Sequence, residues 1–443
     1  MMDRRTFLTA TATATAAVLA PRRLLAAIAE RTPPTPDLST WDNVRSQFNL
    51  SSDQLHFSTF FLASHPKPVR DAIQAYRDAI DAEPFLVVDH RMFQDSPDNI
   101  QIALRTQMSG YLGAQPEEIA ITTSTTNGLA LVYAGLPLKP GDEVLTTIHD
   151  HYSQHESIRF AAAKSGARMR KFTLYASAPD ATAGEMVANL RAAIRPETRV
   201  VGLTWVHSCS GVRIPVRALA EAVADVNRSR GEKDRIRVVL DGAHALGVVD
   251  ETVSALGCDY VCAGTHKWML APRGTGMVWA RAENWALLTP TIPTFASQEA
   301  WNAWMKNDIQ PRPVTAFDIT PGGFHAFEHQ WAIGAAFKFH ETIGRSRVAA
   351  RIQELNDRCK AGLAAIHGVR VVTPKDPAVS AGIICFEVAG KAPDEVGAKL
   401  VEKRVVAASS PYLPSYARFS PSLANTPQEV DRAVQAAREI AAA

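Results

Sequence analysis

Lys267 stands in Ala263-Gly264-Thr265-His266-Lys267-Trp268-Met269, between the apolar run Tyr260-Val261-Cys262 and the glycine-rich Pro272-Arg273-Gly274-Thr275-Gly276. Upstream, the β-branched run Val238-Val239-Leu240 ends in Asp241, followed by Gly242-Ala243-His244. A lysine and an acid, each placed where a strand ends, share one chemistry. The amine condenses with an aldehyde to form a Schiff base, and the acid keeps a pyridine nitrogen protonated so that the ring accepts electrons. That division of labour suits pyridoxal phosphate. A lysine after a strand is by default a solvated loop residue; the specific signal is the pair, with glycines and a histidine beside each member.

Two further segments carry polar side chains at strand ends. Thr122-Thr123-Ser124-Thr125-Thr126-Asn127-Gly128 opens an apolar helix. Backbone N–H groups at a helix N-terminus, flanked by hydroxyls, make a phosphate cradle, although a plain Ser/Thr N-cap has the same composition. His149-Asp150-His151-Tyr152-Ser153-Gln154-His155 holds three imidazoles. No acid–histidine set elsewhere completes a site at metal-ligand spacing, so no metal is expected. The five cysteines (Cys209, Cys258, Cys262, Cys359, Cys385) are odd in number and form no repeated CxxC pair, which argues against a zinc site and against a disulfide framework.

Asp-Gly-Ala-His at 241–244 and Thr-His-Lys-Trp at 265–268 resemble the aspartate and lysine motifs of class V aminotransferase-fold enzymes, the fold type I pyridoxal-phosphate group. The resemblance runs from about Leu55 to the C-terminus and is nearest to the isopenicillin N epimerase-like branch, through His244 and the Lys267-Trp268 pair. It implies that Lys267 and Asp241 are catalytic. It places the cofactor phosphate at Thr125, Thr126 and Asn127, with Thr265 and His266 as further contacts. His244 is expected at the cofactor's ring oxygen or at Asp241. A flat side chain is expected on the pyridine ring; register points to Tyr152, with His151 and His155 as alternates. Ser208 and Gly211 match a Ser-x-x-Gly pattern near the ring hydroxyl, with Cys209 where some relatives carry Asn. Arg418, in Ala417-Arg418-Phe419-Ser420-Pro421-Ser422-Leu423-Ala424-Asn425-Thr426, matches the arginine that holds the substrate carboxylate as a bidentate pair. The usual Gly-Thr loop toward a neighbouring subunit is replaced by Pro321-Gly322-Gly323-Phe324-His325, leaving His325 as a candidate there.

The implied activity is chemistry at the Cα–H of an amino acid. Transamination, epimerisation and C–S or C–N elimination all begin alike, and these motifs do not separate them. Persulfide-forming desulfuration is disfavoured, because the stretch from Val401 to Tyr416 contains no cysteine. A non-catalytic protein that has kept the fold is the remaining alternative; the joint presence of Lys267, Asp241 and Arg418 counts against it.

These residues need a scaffold. Apolar runs at 119–122, 143–147, 168–172, 200–205, 237–241, 260–263 and 276–280 alternate with helical periodicity at 184–194 and 216–227. The pattern predicts an α/β fold, a mostly parallel seven-stranded sheet between helices, with ligands beyond the carboxyl ends of the strands. A long helix over 329–342 should lead into a smaller C-terminal α+β domain with a strand at 382–388 and a last helix at 428–442. The expected divisions are a signal at 1–29, an N-terminal extension at 30–68, a large cofactor-binding domain at 69–314 and the small domain at 315–443. At 443 residues, 46% hydrophobic and 21% charged, the chain has the composition of a soluble globular protein. A net charge of +2 with no long basic run gives no case for nucleic acid. The resemblance also implies a homodimer with shared active sites.

Arg4-Arg5-Thr6-Phe7-Leu8 precedes a short run of Ala, Thr, Val and Leu up to Ala20. A twin arginine before a segment too short to span a bilayer is expected to be a Tat export signal. Ala27-Ile28-Ala29 is the cleavage candidate. The destination would then be the periplasm or the exterior, reached through the Tat export machinery with the cofactor already loaded. Replacing Arg4 and Arg5 with lysine is expected to retain the protein in the cytoplasm; cell fractionation showing an undiminished periplasmic pool in that variant would remove the assignment.

Overall fold

The computed structural model describes residues 36–94, 99–308 and 310–443. The expected export signal and its cleavage candidate therefore lie outside the described residues. Among those described, no helix is long and apolar enough to cross a membrane. A seven-stranded sheet forms the centre. Its strands are β2 (Ile119–Thr122), β3 (Glu143–Thr147), β4 (Arg168–Phe172), β5 (Thr198–Thr204), β6 (Arg237–Asp241), β7 (Tyr260–Gly264) and β8 (Gly276–Ala280), in the order β2-β8-β7-β6-β5-β3-β4. Only β8 runs antiparallel to its neighbours β2 and β7; every other pairing is parallel. Helices such as Thr125–Gly135 and Val216–Asn227 connect the strands. Two apolar cores result, one holding Ile121, Leu145 and Leu240, the other holding Ala120, Val144 and Val239. Alternate strand residues thus enter different cores, which is why these strands read as unbroken apolar runs. Strand β4 closes an edge and is mostly charged, as an unpaired edge should be.

The smaller unit contains the antiparallel sheet β12-β13-β10-β9, formed by β9 (Val369–Val371), β10 (Ile384–Val388), β12 (Ala408–Ser409) and β13 (Ala417–Phe419). Beside it, β1 (Leu55–His56) pairs in parallel with β11 (Val405–Val406). Leu55 and Phe57 belong to the core of this unit, where the Phe57 and Phe419 rings lie 5.4 Å apart. The segment expected as an N-terminal extension thus supplies a strand to the C-terminal unit.

The helix expected over 329–342 is interrupted. It appears as Phe327–Trp331 and Ile333–Ile343, with a turn at Gly344 (φ +97°) before Arg345–Ala364. Ile333, Phe337 and Phe339 enter the large core, so the chain beyond 315 is shared between the two units. The strand expected from 382 begins at Ile384, because Gly382 is left-handed at φ +70°.

The carboxyl ends of β2, β3, β5, β6 and β7 fall at one edge of the sheet, and the loops leaving them carry the candidate residues. The loop after β5 is pinned to the smaller unit: Thr373 Oγ1 donates to the Ser210 carbonyl at 2.7 Å. Gly211 there has φ +74°, and an added Cβ would stand 2.2 Å from the Ile383 carbonyl oxygen. Gly211→Ala combines backbone strain with a clash against backbone. Chemical denaturation should show a loss of about 3 kcal/mol; a loss under about 0.5 kcal/mol would mean that the two units are not locked together at this point.

Candidate active site

Lys267 follows β7 in a turn closed by hydrogen bonds from the Thr265 N–H to the Thr275 carbonyl and from the Ala271 N–H to the Thr265 carbonyl. Its Nζ lies 3.3 Å from His244 Nε2, while the Trp268 indole N–H meets His244 Nδ1 at 3.4 Å. Burial brings the Lys267 amine down to about 8 and outweighs the nearby Asp241, which acts in the opposite sense. Burial also pushes His244 well below its usual range, helped by Lys267 and Arg418, so its ring is neutral. Asp241 ends β6 and is 2% exposed. Its Oδ1 accepts the Ala243 N–H at 3.0 Å, and burial raises the carboxyl to about 6. A buried acid with so little hydrogen bonding is suited to a cationic ring nitrogen, which would restore the ionised form.

A second polar end is built where Thr125–Gly135 begins. Ser124 caps the helix by accepting the Asn127 N–H at 3.1 Å, and Asn127 Oδ1 accepts the Thr123 N–H at 3.3 Å. The N–H groups of Thr125 and Thr126, in the first turn, have no protein acceptor among the described residues. Thr125 Oγ1 accepts the Gly264 N–H at 2.6 Å, tying this helix to the strand that leads to Lys267. Both contacts are close: a Cβ on Gly264 would push the His266 ring at Cε1, 2.8 Å away, and one on Gly276 would meet the Ser124 backbone at 2.9 Å. His266 Nδ1 pairs with the Thr275 carbonyl at 3.1 Å, which makes Nδ1 the donor and leaves Nε2 free. Two free N–H groups at a helix N-terminus beside a hydroxyl are a phosphate-sized cradle. With Lys267 and Asp241 they match the phosphate, aldehyde and ring nitrogen of pyridoxal phosphate.

Arg418 reaches in from β13. Its guanidinium donates to the Ser208 carbonyl at 3.1 Å and the Ser409 carbonyl at 2.9 Å, and sits 4.1 Å above the Phe60 ring. It is 6% exposed, and its Nε is buried with no partner among the described residues. Ser208 Oγ is hydrogen-bonded to Tyr412 Oη. Tyr412, which the sequence did not single out, comes from the loop between β12 and β13.

Four expected side chains are engaged or turned elsewhere. Tyr152, the expected stacking residue, is 71% exposed at the first position of the helix Tyr152–Ser165. His151, the cap one residue earlier, is partly buried; Lys267 and Arg418 add to the burial that lowers it to about 4. The capping position closes the strand-end loop and keeps its ring at the site edge, whereas the first helical residue faces out. Thr265 is fully buried, and its hydroxyl is bonded to Thr275 Oγ1 at 2.6 Å, so it braces the lysine turn instead of facing a ligand. Thr126 bonds Ser153 Oγ at 3.0 Å and is exposed. His325 is exposed and bonded to the Gly323 carbonyl at 3.0 Å.

Beneath the site lies a polar cluster. The His149 and Tyr175 rings stack at 3.9 Å, and Tyr175 Oη bonds His207 Nδ1 at 3.1 Å and Ser210 Oγ at 2.8 Å. His207 Nε2 is 3.5 Å from Asp150 Oδ1, and Asp150 Oδ2 accepts from Thr146 Oγ1 and the Thr147 N–H. These contacts hold the His149–His151 loop against the Ser208 loop. Only the density of histidines before 155 pointed here; the partners lie far off in sequence.

The fold and this constellation define an α/β enzyme of the pyridoxal-phosphate class. The aminotransferase class-V model matches residues 63–432, and the chain belongs to that family, whose members are pyridoxal-phosphate-dependent enzymes. Isopenicillin N epimerase of Amycolatopsis lactamdurans is 27% identical over 79% of this chain and 84% of its own length. That of Streptomyces clavuligerus is 26% identical over 90% and 98%. Among solved structures, C-DES, a cystine C–S lyase captured with glycine covalently linked to its PLP cofactor, superposes with a TM-score of 0.77 at 21% identity. It covers 90% of this chain and 98% of that one.

The raised Asp241 carboxyl has a consequence for stability. Its folded value, about 6, lies above the ordinary range of an aspartate carboxyl, so between about pH 4 and 6 and without cofactor the folded state holds a proton that the unfolded state releases. Stability from this group is full below pH ~4 and falls as pH rises through 6. Asp241→Asn should therefore melt higher than the parent at pH 7 when cofactor is absent, by up to about 3 kcal/mol. The two should converge near pH 4. Equal melting at both pH values would contradict the burial argument.

Proposed function

We propose that this chain removes the Cα proton of an amino acid, in the manner of class V aminotransferases and epimerases. The observation that carries the reading is the convergence of Lys267, Asp241 and Arg418 at one sheet edge, with Lys267 brought down to about 8. Lys267 would anchor the cofactor aldehyde, the first turn of Thr125–Gly135 and His266 would hold its phosphate, Asp241 its ring nitrogen, and His151 its ring face. Bound there, pyridoxal phosphate supplies a carbonyl to hold the substrate amine and a ring that takes up the electron pair left at Cα. Arg418 binds the substrate carboxylate and so fixes which Cα bond stands perpendicular to that ring. Lys267 Nζ, in its neutral form, accepts the Cα proton. Protonation of Cα from the opposite face, by an acid other than Lys267, gives epimerisation; protonation at the cofactor instead gives transamination. Ser208, held by Tyr412, stands beside Arg418, which donates to its carbonyl.

The alternative is a C–S or C–N lyase, supported by the fold shared with C-DES. Desulfuration through a persulfide on an enzyme cysteine is disfavoured. Cys209, in the Ser208 loop, is pushed up to about 11 by burial, and the other four cysteines are buried. A Tat signal at Arg4-Arg5, delivery to the periplasm or exterior, and a homodimer complete the proposal. The dimer is supported by aromatic side chains left in solvent: Phe324 is 76% and Trp304 68% exposed, and Phe324 continues a ring-to-ring series through Phe295 and Phe327.

Lys267→Ala should lose turnover and the visible absorbance of bound cofactor, and borohydride reduction of the parent should add the cofactor mass at Lys267. Full activity in the variant would end the assignment. Arg418→Lys should mainly raise KM for amino acids, because a lysine cannot reproduce the two parallel bonds, while amines lacking a carboxylate should barely respond. Equal losses for both would make Arg418 a support for the fold. Phe324→Glu should elute as a monomer in size exclusion; an unchanged dimer would move the interface off this surface.

A further inference from the structure

His244 is engaged at both ring nitrogens, and the chemistry of its partners fixes the ring. An indole N–H donates and never accepts. The Trp268 contact at 3.4 Å therefore requires a bare Nδ1. A neutral imidazole carries one N–H, which must then sit on Nε2, 3.3 Å from Lys267 Nζ. An ammonium has three donors and no lone pair; only the neutral amine can receive that hydrogen. We infer that Trp268 and His244 are a positioning pair that presents an N–H to Lys267 and holds it as the free amine, the form able to take a proton. The inference rests on the reading of Lys267 as the cofactor lysine and proton acceptor, and deepens it.

The surroundings agree. Arg418 and burial favour the neutral amine at Lys267, while Asp241 at the end of β6 opposes them. On His244, burial, Lys267, Arg418, His151 and His266 all act against protonation, and a protonated ring would have no bare nitrogen for the indole. The indole is 3% exposed and has a built seat. A Cβ on Gly247 (φ +90°) would lie 2.7 Å from the Trp268 carbonyl carbon, and one on Gly382 (φ +70°) would lie 3.1 Å from the ring at Cζ2. Gly382 comes from the smaller unit, just before β10, so that unit helps to hold the indole N–H on His244.

The test uses the full chain freed of cofactor by an amine rinse. The pH dependence of arylation by a water-soluble amine reagent is read at the Lys267 peptide by mass spectrometry. Trp268→Phe keeps the ring and removes the N–H. Its labelling midpoint should move up by about one pH unit, with a roughly 5- to 10-fold slower reaction at pH 7. His244→Gln should stay near the parent, because the amide carbonyl accepts the indole N–H and its NH₂ faces the amine. A Trp268→Phe profile within 2-fold of the parent at every pH overturns the inference. Nitrogen NMR of histidine-labelled parent, with the His244 signal assigned by its loss in His244→Gln, needs no stable tryptophan variant: protonation on Nε2 supports the pair, and protonation on Nδ1 overturns it. Borohydride-fixed cofactor on a different lysine would defeat the proposed function, while the labelling profile would still report on Lys267.

Discussion

Desolvation of charge at the carboxyl edge of the sheet is the constraint on which the rest depends. Lys267, Asp241 and Arg418 each leave water, and each ionisation responds in the direction that burial dictates: the lysine and arginine fall and the acid rises. None of these side chains would be kept in such a place for stability alone, because burying charge without a matched partner costs free energy. The site is polar groups held at an energetic disadvantage by a fold that gains its stability elsewhere, in two apolar cores on either side of β5, β6 and β7.

Positioning is done by close contacts at glycine. Gly264 and Gly276 bring two strands against the start of Thr125–Gly135, so that helix start and the lysine turn are set by one packing arrangement. Gly211 does the same between the Ser208 loop and the smaller unit. The His149–Tyr175–His207–Asp150 cluster then ties the loop after β3 to the loop after β5, fixing His151 relative to Ser208.

The central strands were legible because each is apolar on both faces, and the strand-end lysine and acid because their neighbours change abruptly from apolar to glycine and histidine. What the sequence could not show is which way a side chain turns at a boundary. Tyr152 and His151 are adjacent, yet the cap faces the site and the first helical residue faces solvent. Thr265 beside the lysine looked like a ligand contact, but Thr275, ten positions on, claims its hydroxyl. Tyr412 and Tyr175 could not be found by spacing, since their partners at 208 and 207 are joined to them only by the fold. The interrupted helix after 326 reads as continuous periodicity, because both pieces bury an apolar face.

The pairing of β1 with β11 has a bearing on how the protein is made. Leu55 and Phe57 complete a core whose other members lie between 355 and 440. During synthesis those early residues have nothing to pack against until nearly the whole chain has left the ribosome, whereas the strands of the large sheet are complete by Ala280. Domains fold as units while the chain emerges, so the cradle, the acid and the lysine can assemble first, with Arg418 still to be synthesised. Arg418 and Gly382, which packs against the Trp268 ring, arrive together with the last unit. A chain arrested late in translation would hold the Thr125, Asp241 and Lys267 loops together without Arg418.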